Sequence, residues 1–235
     1  MKAKHAIALA LTAMAGAAHA NLITNGDFSA GLSGWAVQNG GSGNWYLDTV
    51  GTTTPYSNHL TSGAGGGAGL YAVTDQGGGG FHVLSQIFTV TANQQVTIEF
   101  DLFANNWGGP LMDCGVISSG SGPCQYAMVD IVRVGANPLS RSASDVVATL
   151  LSPFVGPVPG VNPFASYTFD VSDFLIAGGD YRLRFSEVDN LGYFNVGVDN
   201  VSVTAASNAV PEPASMALLA LGLGGMMLAR RRKAS

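Results

Sequence analysis

An all-β sandwich is the fold this 235-residue sequence predicts for its central part, and three observations predict it. Apolar and polar residues alternate with period two over several short runs, and the segments between those runs are rich in Gly, Asn, Asp, Ser and Pro. No stretch between residues 21 and 209 repeats its apolar residues at helical spacing. Only 11% of the chain is charged, against about 25% in an ordinary soluble domain, and 32 glycines occur without a Gly-X-Y period. A triple helix and a charge-extended disordered chain are both excluded, because 47% of the residues are hydrophobic.

The first element is a leader over residues 1–20. Lys2 and Lys4 precede an apolar run over 6–17 that ends in Ala18-His19-Ala20, which is the basic start, hydrophobic centre and small-x-small end of a secretory signal cleaved before Asn21. A run of about twelve residues is too short to cross about 30 Å of hydrocarbon. Strands are expected next at 81–90, 95–102, 127–134, 167–171, 181–185 and 194–203, within a total of about eight to ten that each bury one face. Residues 63–69 and 77–80 read as glycine-rich surface loops, and 172–177 as a short helical turn. In 194–203 the apolar parity changes: Phe194, Val196 and Val198 keep one phase, Val201 and Val203 the other. A bulge or bend at Asp199-Asn200 is the expected cause.

Cys114 and Cys124 are the only two cysteines, and export makes a disulfide between them the expected state. Neither has CxxC spacing or a nearby histidine that would favour a metal or a reactive thiol. Residues 21–209 hold fourteen acids and four bases, for a net charge of −10 and no lysine. Such a surface repels phosphate backbones, so nucleic acid is not expected as a partner, whereas its carboxylates suit Ca²⁺.

The last element, residues 210–235, begins Val210-Pro211-Glu212-Pro213, continues through an apolar run over 214–229 and ends Arg230-Arg231-Arg232-Lys233. As a helix the apolar run would be about 24 Å long, a short single transmembrane span, and Gly222, Gly224 and Gly225 weaken it. The cationic cluster stays on the cytoplasmic side, which leaves residues 21–209 outside the inner membrane. Pro211 and Pro213 fix φ and hold Glu212 extended just outside the bilayer. These three parts in this order resemble the PEP-CTERM sorting signal of Gram-negative bacteria. The resemblance implies Pro211, Glu212, Pro213, Arg230, Arg231 and Arg232 as the sorting motif. It also implies the Sec export machinery and an exosortase as processing partners, a transient inner-membrane intermediate, and the cell surface or exopolysaccharide matrix as the destination.

The central segment opens Asn21-Leu22-Ile23-Thr24-Asn25-Gly26-Asp27-Phe28, continues to Gly34-Trp35, and closes Val198-Asp199-Asn200-Val201-Ser202-Val203. That bracketing resembles the galactose-binding-like jelly rolls, which include many carbohydrate-binding modules. The resemblance implies a jelly-roll β-sandwich over 21–209, flanked by the signal peptide and the C-terminal transmembrane helix, with Trp35 in the core. It also implies a structural Ca²⁺ between the first and last strands, with Asp199, Asp27 and the region of Asn25 as ligands. Ser29 departs from the pattern, since a glutamate is frequent there, and the other reading is that Asn25 and Asp27 build a turn while Asp199 bonds to backbone amides.

A sugar site needs an exposed aromatic platform beside polar groups. Trp45-Tyr46 and Asn106-Trp107 are the candidates, with packing in the core or a loop as the competing role for both tryptophans. For catalysis the segment retains only His59 and His82, and no G-x-S-x-G or H-E-x-x-H occurs. Glu99, Asp101, Asp130, Glu187 and Asp189 could pair only if the fold brings them together, and Glu99 and Asp101 lie on the polar phase of their strand. The expected function is that of a non-catalytic, carbohydrate-binding or structural component of the surface or biofilm matrix. A carbohydrate-active enzyme or its accessory module is the alternative, and a scaffold for protein partners is a third reading.

Overall fold

The computed structural model describes residues 20–60, 69–118, 120, 122–152 and 160–207. The sorting motif, the apolar run after it, all of the leader except Ala20 and most of the loop expected at 63–69 lie outside the described residues. Eleven strands and no helix form the described part: β1 Ala20–Asn21, β2 Ala36–Gly41, β3 Asn44–Asp48, β4 Tyr71–Asp75, β5 Gly80–Val90, β6 Gln94–Asn106, β7 Gln125–Arg133, β8 Val146–Leu151, β9 Ala165–Asp170, β10 Gly179–Asp189 and β11 Phe194–Ser207. Among the described residues no helix is long and apolar enough to cross a membrane.

One sheet runs β3-β4-β11-β6-β9 with β1 also paired to β11, and the other runs β2-β5-β10-β7-β8. Every pairing is antiparallel. From β4 to β7, and again from β8 to β11, the chain crosses from one sheet to the other at each connection, so sequential strands face each other across the core. This is the all-β, jelly-roll arrangement that the resemblance implied, and the alternating runs require its two-sheet packing, since each strand has one apolar face to bury.

The core is built by the inward parity of each long strand. Val96, Ile98, Phe100, Leu102 and Ala104 of β6 meet Leu84 and Phe88 of β5, Leu183 and Phe185 of β10, and Val196 and Val198 of β11. Phe28 and Trp35 close one side, their rings stacked 5.4 Å apart, and Trp35 places the indole N–H on the Asn25 carbonyl. The bulge expected at Asp199-Asn200 is present. Asp199 faces Asp101 and Ser202 faces Glu99, so three steps on β11 match two on β6, and Asn200 takes up the extra residue at φ 51°. The bulge moves Val201 and Val203 onto the core side.

Residues 172–177 form the short helical turn expected there: Leu175 N donates to Val171 O, four residues back, and to Ser172 O, and the turn drops Leu175 into the core. One expectation needs correction. The loop expected at 77–80 is one residue shorter, because Gly80 is the first, buried residue of β5 and pairs with both Gly41 and Asp189.

The outer face of the β5-β10-β7 sheet is itself covered. Ile117 and the Cys114–Cys124 disulfide, with Cα atoms 5.4 Å apart, pack on Val83, Tyr126, Met128 and Val188. Next to them Arg184, fully buried, donates through Nε and Nη2 to Asp130 at 2.8 and 2.5 Å and through Nη1 to the carbonyls of Pro138 and Ser140. Arg141 pairs with Asp113 and lies 5.1 Å from the Tyr126 ring centroid. The 134–145 segment is thereby fastened over the sheet.

Candidate functional site

At one end of the sandwich, aromatic rings from three distant segments meet at the surface. His59 lies 4.5 Å from Trp107 and 4.9 Å from Tyr193, centroid to centroid, and Trp107 and Tyr193 are 39% and 41% exposed. Trp107 N donates to Tyr193 O at 2.9 Å. Gly108 and Gly192 make this approach possible, because a Cβ on Gly192 would stand 2.6 Å from the Gly108 Cα. Asn106 is buried and spends its amide on the same loop. Its Oδ1 accepts from Gly108 N and from Gln125 Nε2, and its Nδ2 donates to Gly109 O. Asn106 therefore positions Trp107.

Beside the rings opens a cavity of about 170 Å³ lined by Gln76, Asn190, Gly192, Tyr193 and the glycines at 77–79. Its floor is a chain of amide and carboxylate bonds. Gln76 Nε2 donates to Asp189 O and Oδ2, Asp189 Oδ1 accepts from Leu191 N and Gly192 N, and Asn190 holds the disulfide loop through Cys124 N and Gly122 O. Rings that present a flat face and amides that present donors and acceptors are the two features a pyranose needs.

Beneath this floor the sandwich interior is polar. Glu187 and Asp189 share the inward parity of Leu183 and Phe185, and His82 faces Glu187 from β5, with Nε2 to Oε2 at 3.8 Å. His82 also bonds to Gln76 Oε1 at 2.7 Å and Asn39 Oδ1 at 2.9 Å, whereas both Glu187 oxygens lack a hydrogen-bond partner. Burial, and then the charges of Asp189 and Asp75, push the Glu187 carboxyl well above its usual range, and burial pushes His82 down to about 4. Both side chains are 0% exposed, so this acid–base pair is shielded from solvent.

The remaining candidates are spread over the fold. Trp45 is 2% exposed and belongs to the core; the packing role is the one it takes, because its strand turns the indole inward with Ala72 and Leu84. Tyr46, on the opposite side of that strand, lies 6.0 Å from Tyr56 away from the Trp107 cluster's rings, and burial raises its hydroxyl to about 12. Asn25, at φ 53°, accepts at Oδ1 from Ala30 N and donates through Nδ2 to the carbonyls of Gly31 and Ser33, and Asp27 Oδ1 accepts from Ser29 N and Oγ. Asp199 is buried at the bulge, where Oδ1 accepts from Asn200 N. The opening turn and the bulge do meet, through Val201 N and Gly26 O at 2.9 Å. Among the described residues no three His, Cys, Asp or Glu side chains converge as a metal site. Of the five acids, Glu187 and Asp189 lie together in the interior, whereas Glu99 and Asp101 bond to Thr168, Ser166 and Asn200 on the outer face of β6 and Asp130 is held by Arg184. His59, Tyr193, Gln76 and Asn190 were not evident in the sequence. The one signal for Glu187 and Asp189 was their place on the apolar phase of their strand.

No curated protein matches the chain. Among solved structures it is similar to the TmCBM61 module in complex with beta-1,4-galactotriose, at 15% identity and TM-score 0.46 over 78% of this chain and 97% of that one. It is also similar to the Stig cyclase Fisc from Fischerella sp. TAU, at 14% and 0.49 over 82% and 100%. The K3 cleaved adhesin domain of Lys-gingipain from Porphyromonas gingivalis W83 aligns at 15% and 0.42 over 81% and 100%. Residues 209–233 match the PEP-CTERM protein-sorting motif, and the chain is therefore an exported protein that carries the signal for exosortase sorting to the cell surface.

Proposed function

We propose that this protein is a non-catalytic component of the cell surface or extracellular matrix and that it binds carbohydrate at the loop end of its sandwich. The observation that carries this reading is the exposed Trp107–His59–Tyr193 cluster beside the cavity over Gln76 and Asn190. Stacked C–H faces on the rings and hydroxyls toward the amides would give a modest, neutral-sugar affinity. The mature protein, incubated with the producer's own exopolysaccharide, should be retained without releasing shorter sugars, and Trp107→Ala should lose retention. Steady release that a single Asp or Glu substitution abolishes would make it an enzyme instead, and failure on all glycans would leave a scaffold for protein partners.

The processing route is part of the same reading: a leader over 1–20, a mature domain over 21–209, a membrane-stalled tail over 210–235 and exosortase recognition of Glu212. Replacing Glu212 should leave a protein of larger mass in the membrane fraction. A structural Ca²⁺ at the junction of the opening turn and the bulge would draw on Asp199 and nearby carbonyls, since Asn25 and one Asp27 oxygen are engaged inside the turn. EDTA should then lower the melting temperature, and Asp199→Ala should remove that sensitivity.

A further inference from the structure

We propose that a second cavity, away from the aromatic cluster, is a carboxylate-binding subsite centred on Arg182. The inference stands independently of the Trp107 reading, because none of its residues belongs to that end of the molecule.

The 21–209 segment holds four arginines. Arg184 is paired with Asp130, Arg141 with Asp113, and Arg133 donates through Nε to Ser144 O. Arg182 makes no hydrogen bond or ion pair among the described residues, and its Nη1 is shielded from solvent without a partner. Fourteen acids surround these four bases in the segment, so an unpaired guanidinium is not a shortage of carboxylates. Its position is the cause. Arg182 projects from β10 into an open cavity of about 360 Å³, lined also by Leu22, Thr24, Ser85, Gln86 and Ile87, and no carboxylate lines it.

The walls define what fits. Thr24 and Gln86 are locked to each other, with Thr24 N and Oγ1 donating to Gln86 Oε1 and Gln86 Nε2 donating to Thr24 O, so this wall is pre-formed. Ile87, 48% exposed, and Leu22 give an apolar side, and Ser85 adds a hydroxyl. The cavity thus offers one cation with a forked donor geometry, one hydroxyl and an apolar flank. Because Nη1 is shielded, the fork that a planar carboxylate meets is the Nε–Nη2 edge, from which it accepts two parallel N–H bonds. Desolvation and the neighbouring Arg184 both work against the charge of Arg182, and a bound anion relieves both. The −10 charge of the segment opposes a dense polyanion, but at physiological salt its reach is about 8 Å, so a ligand with isolated carboxylates on an otherwise neutral body is the class that fits.

Two sources share that chemistry: a uronic-acid residue of an exopolysaccharide and a simple aliphatic carboxylate. The test uses the mature protein, phenylglyoxal as the arginine reagent, and peptide mass mapping to read each arginine separately. Sodium D-glucuronate should protect Arg182, D-glucose should not, and Arg182→Gln should weaken glucuronate binding roughly tenfold or more. Protection by acetate at equal concentration would assign the site to carboxylates in general, whereas protection by glucuronate alone would assign it to uronates. Equal protection by glucose, no protection by either acid, or glucuronate binding unchanged in Arg182→Gln would overturn the proposal. Should that variant fail to fold, the protection pattern of the unmodified protein decides the matter. Trp107→Ala, which tests the other site, should leave Arg182 protection unchanged.

Discussion

Two buried ionisable pairs flank β10 on opposite sides, and they are built in opposite ways. Arg184 and Asp130, on the outer side, are 0% exposed and satisfy each other bidentately, and the two remaining bonds of Arg184 go to backbone carbonyls of the segment above. His82 and Glu187, on the inner side, are equally buried, yet they stand 3.8 Å apart and the Glu187 carboxyl has no hydrogen-bond donor among the described residues. Burial alone therefore does not say whether a charge is structural. The outer pair is a clamp whose desolvation is offset by four hydrogen bonds, and the inner pair satisfies His82 through Gln76 and Asn39 but leaves the Glu187 carboxyl uncompensated.

The largest effect should come from breaking the clamp. Arg184→Ala leaves Asp130 buried without a partner, and burial already pushes that carboxyl upward. A loss of about 3–5 kcal/mol is expected in urea unfolding. Reducing the disulfide should cost less, about 2–3 kcal/mol, because the bond closes a short loop with a sequence separation of 10. If reduction instead exceeded Arg184→Ala, the 134–145 segment would be held by the disulfide loop rather than by the clamp, and the comparison would have to be redrawn.

The smallest effect, and the most specific, is on pH dependence. Glu187 has a folded pKa above its ordinary 4.5, so its contribution to stability is present below that value and is lost as pH rises. His82 runs the other way. Its folded value of about 4 lies below the ordinary 6.5, so stability is lost as pH falls from 6.5 to 4. The two effects have opposite signs, and Asp189, whose carboxyl burial also raises, adds to the Glu187 direction. In scanning calorimetry the melting temperature of Glu187→Gln should fall less with rising pH than that of the unmodified protein. An unchanged slope in the variant would show that Glu187 has a partner in solution, such as a buried water or ion.

The strands with clean alternation, β6, β9 and β10, were legible because each carries a period that only one element satisfies. β2, Ala36–Gly41, was not, since it is exposed over most of its length and ends in two glycines. β4, Tyr71–Asp75, was missed for the opposite reason: all five residues are buried, because its outer face packs Tyr71 and Val73 against Phe103, and a strand covered on both sides shows no alternation. Trp107 could be singled out in sequence, but its partners His59 and Tyr193 could not, since nothing local links three loops that meet only after the sheets have stacked.

Sequence alone determined what depends on neighbouring residues: the sorting motif, the alternating strands, the parity change at Asp199-Asn200 and the one possible disulfide. The tertiary structure decided which of the fourteen acids are buried, which arginines are paired and which aromatics reach the surface. Parity places a side chain on one face or the other, but the burial, charge and partners of that face are set by whatever distant segment covers it, and that information is not local.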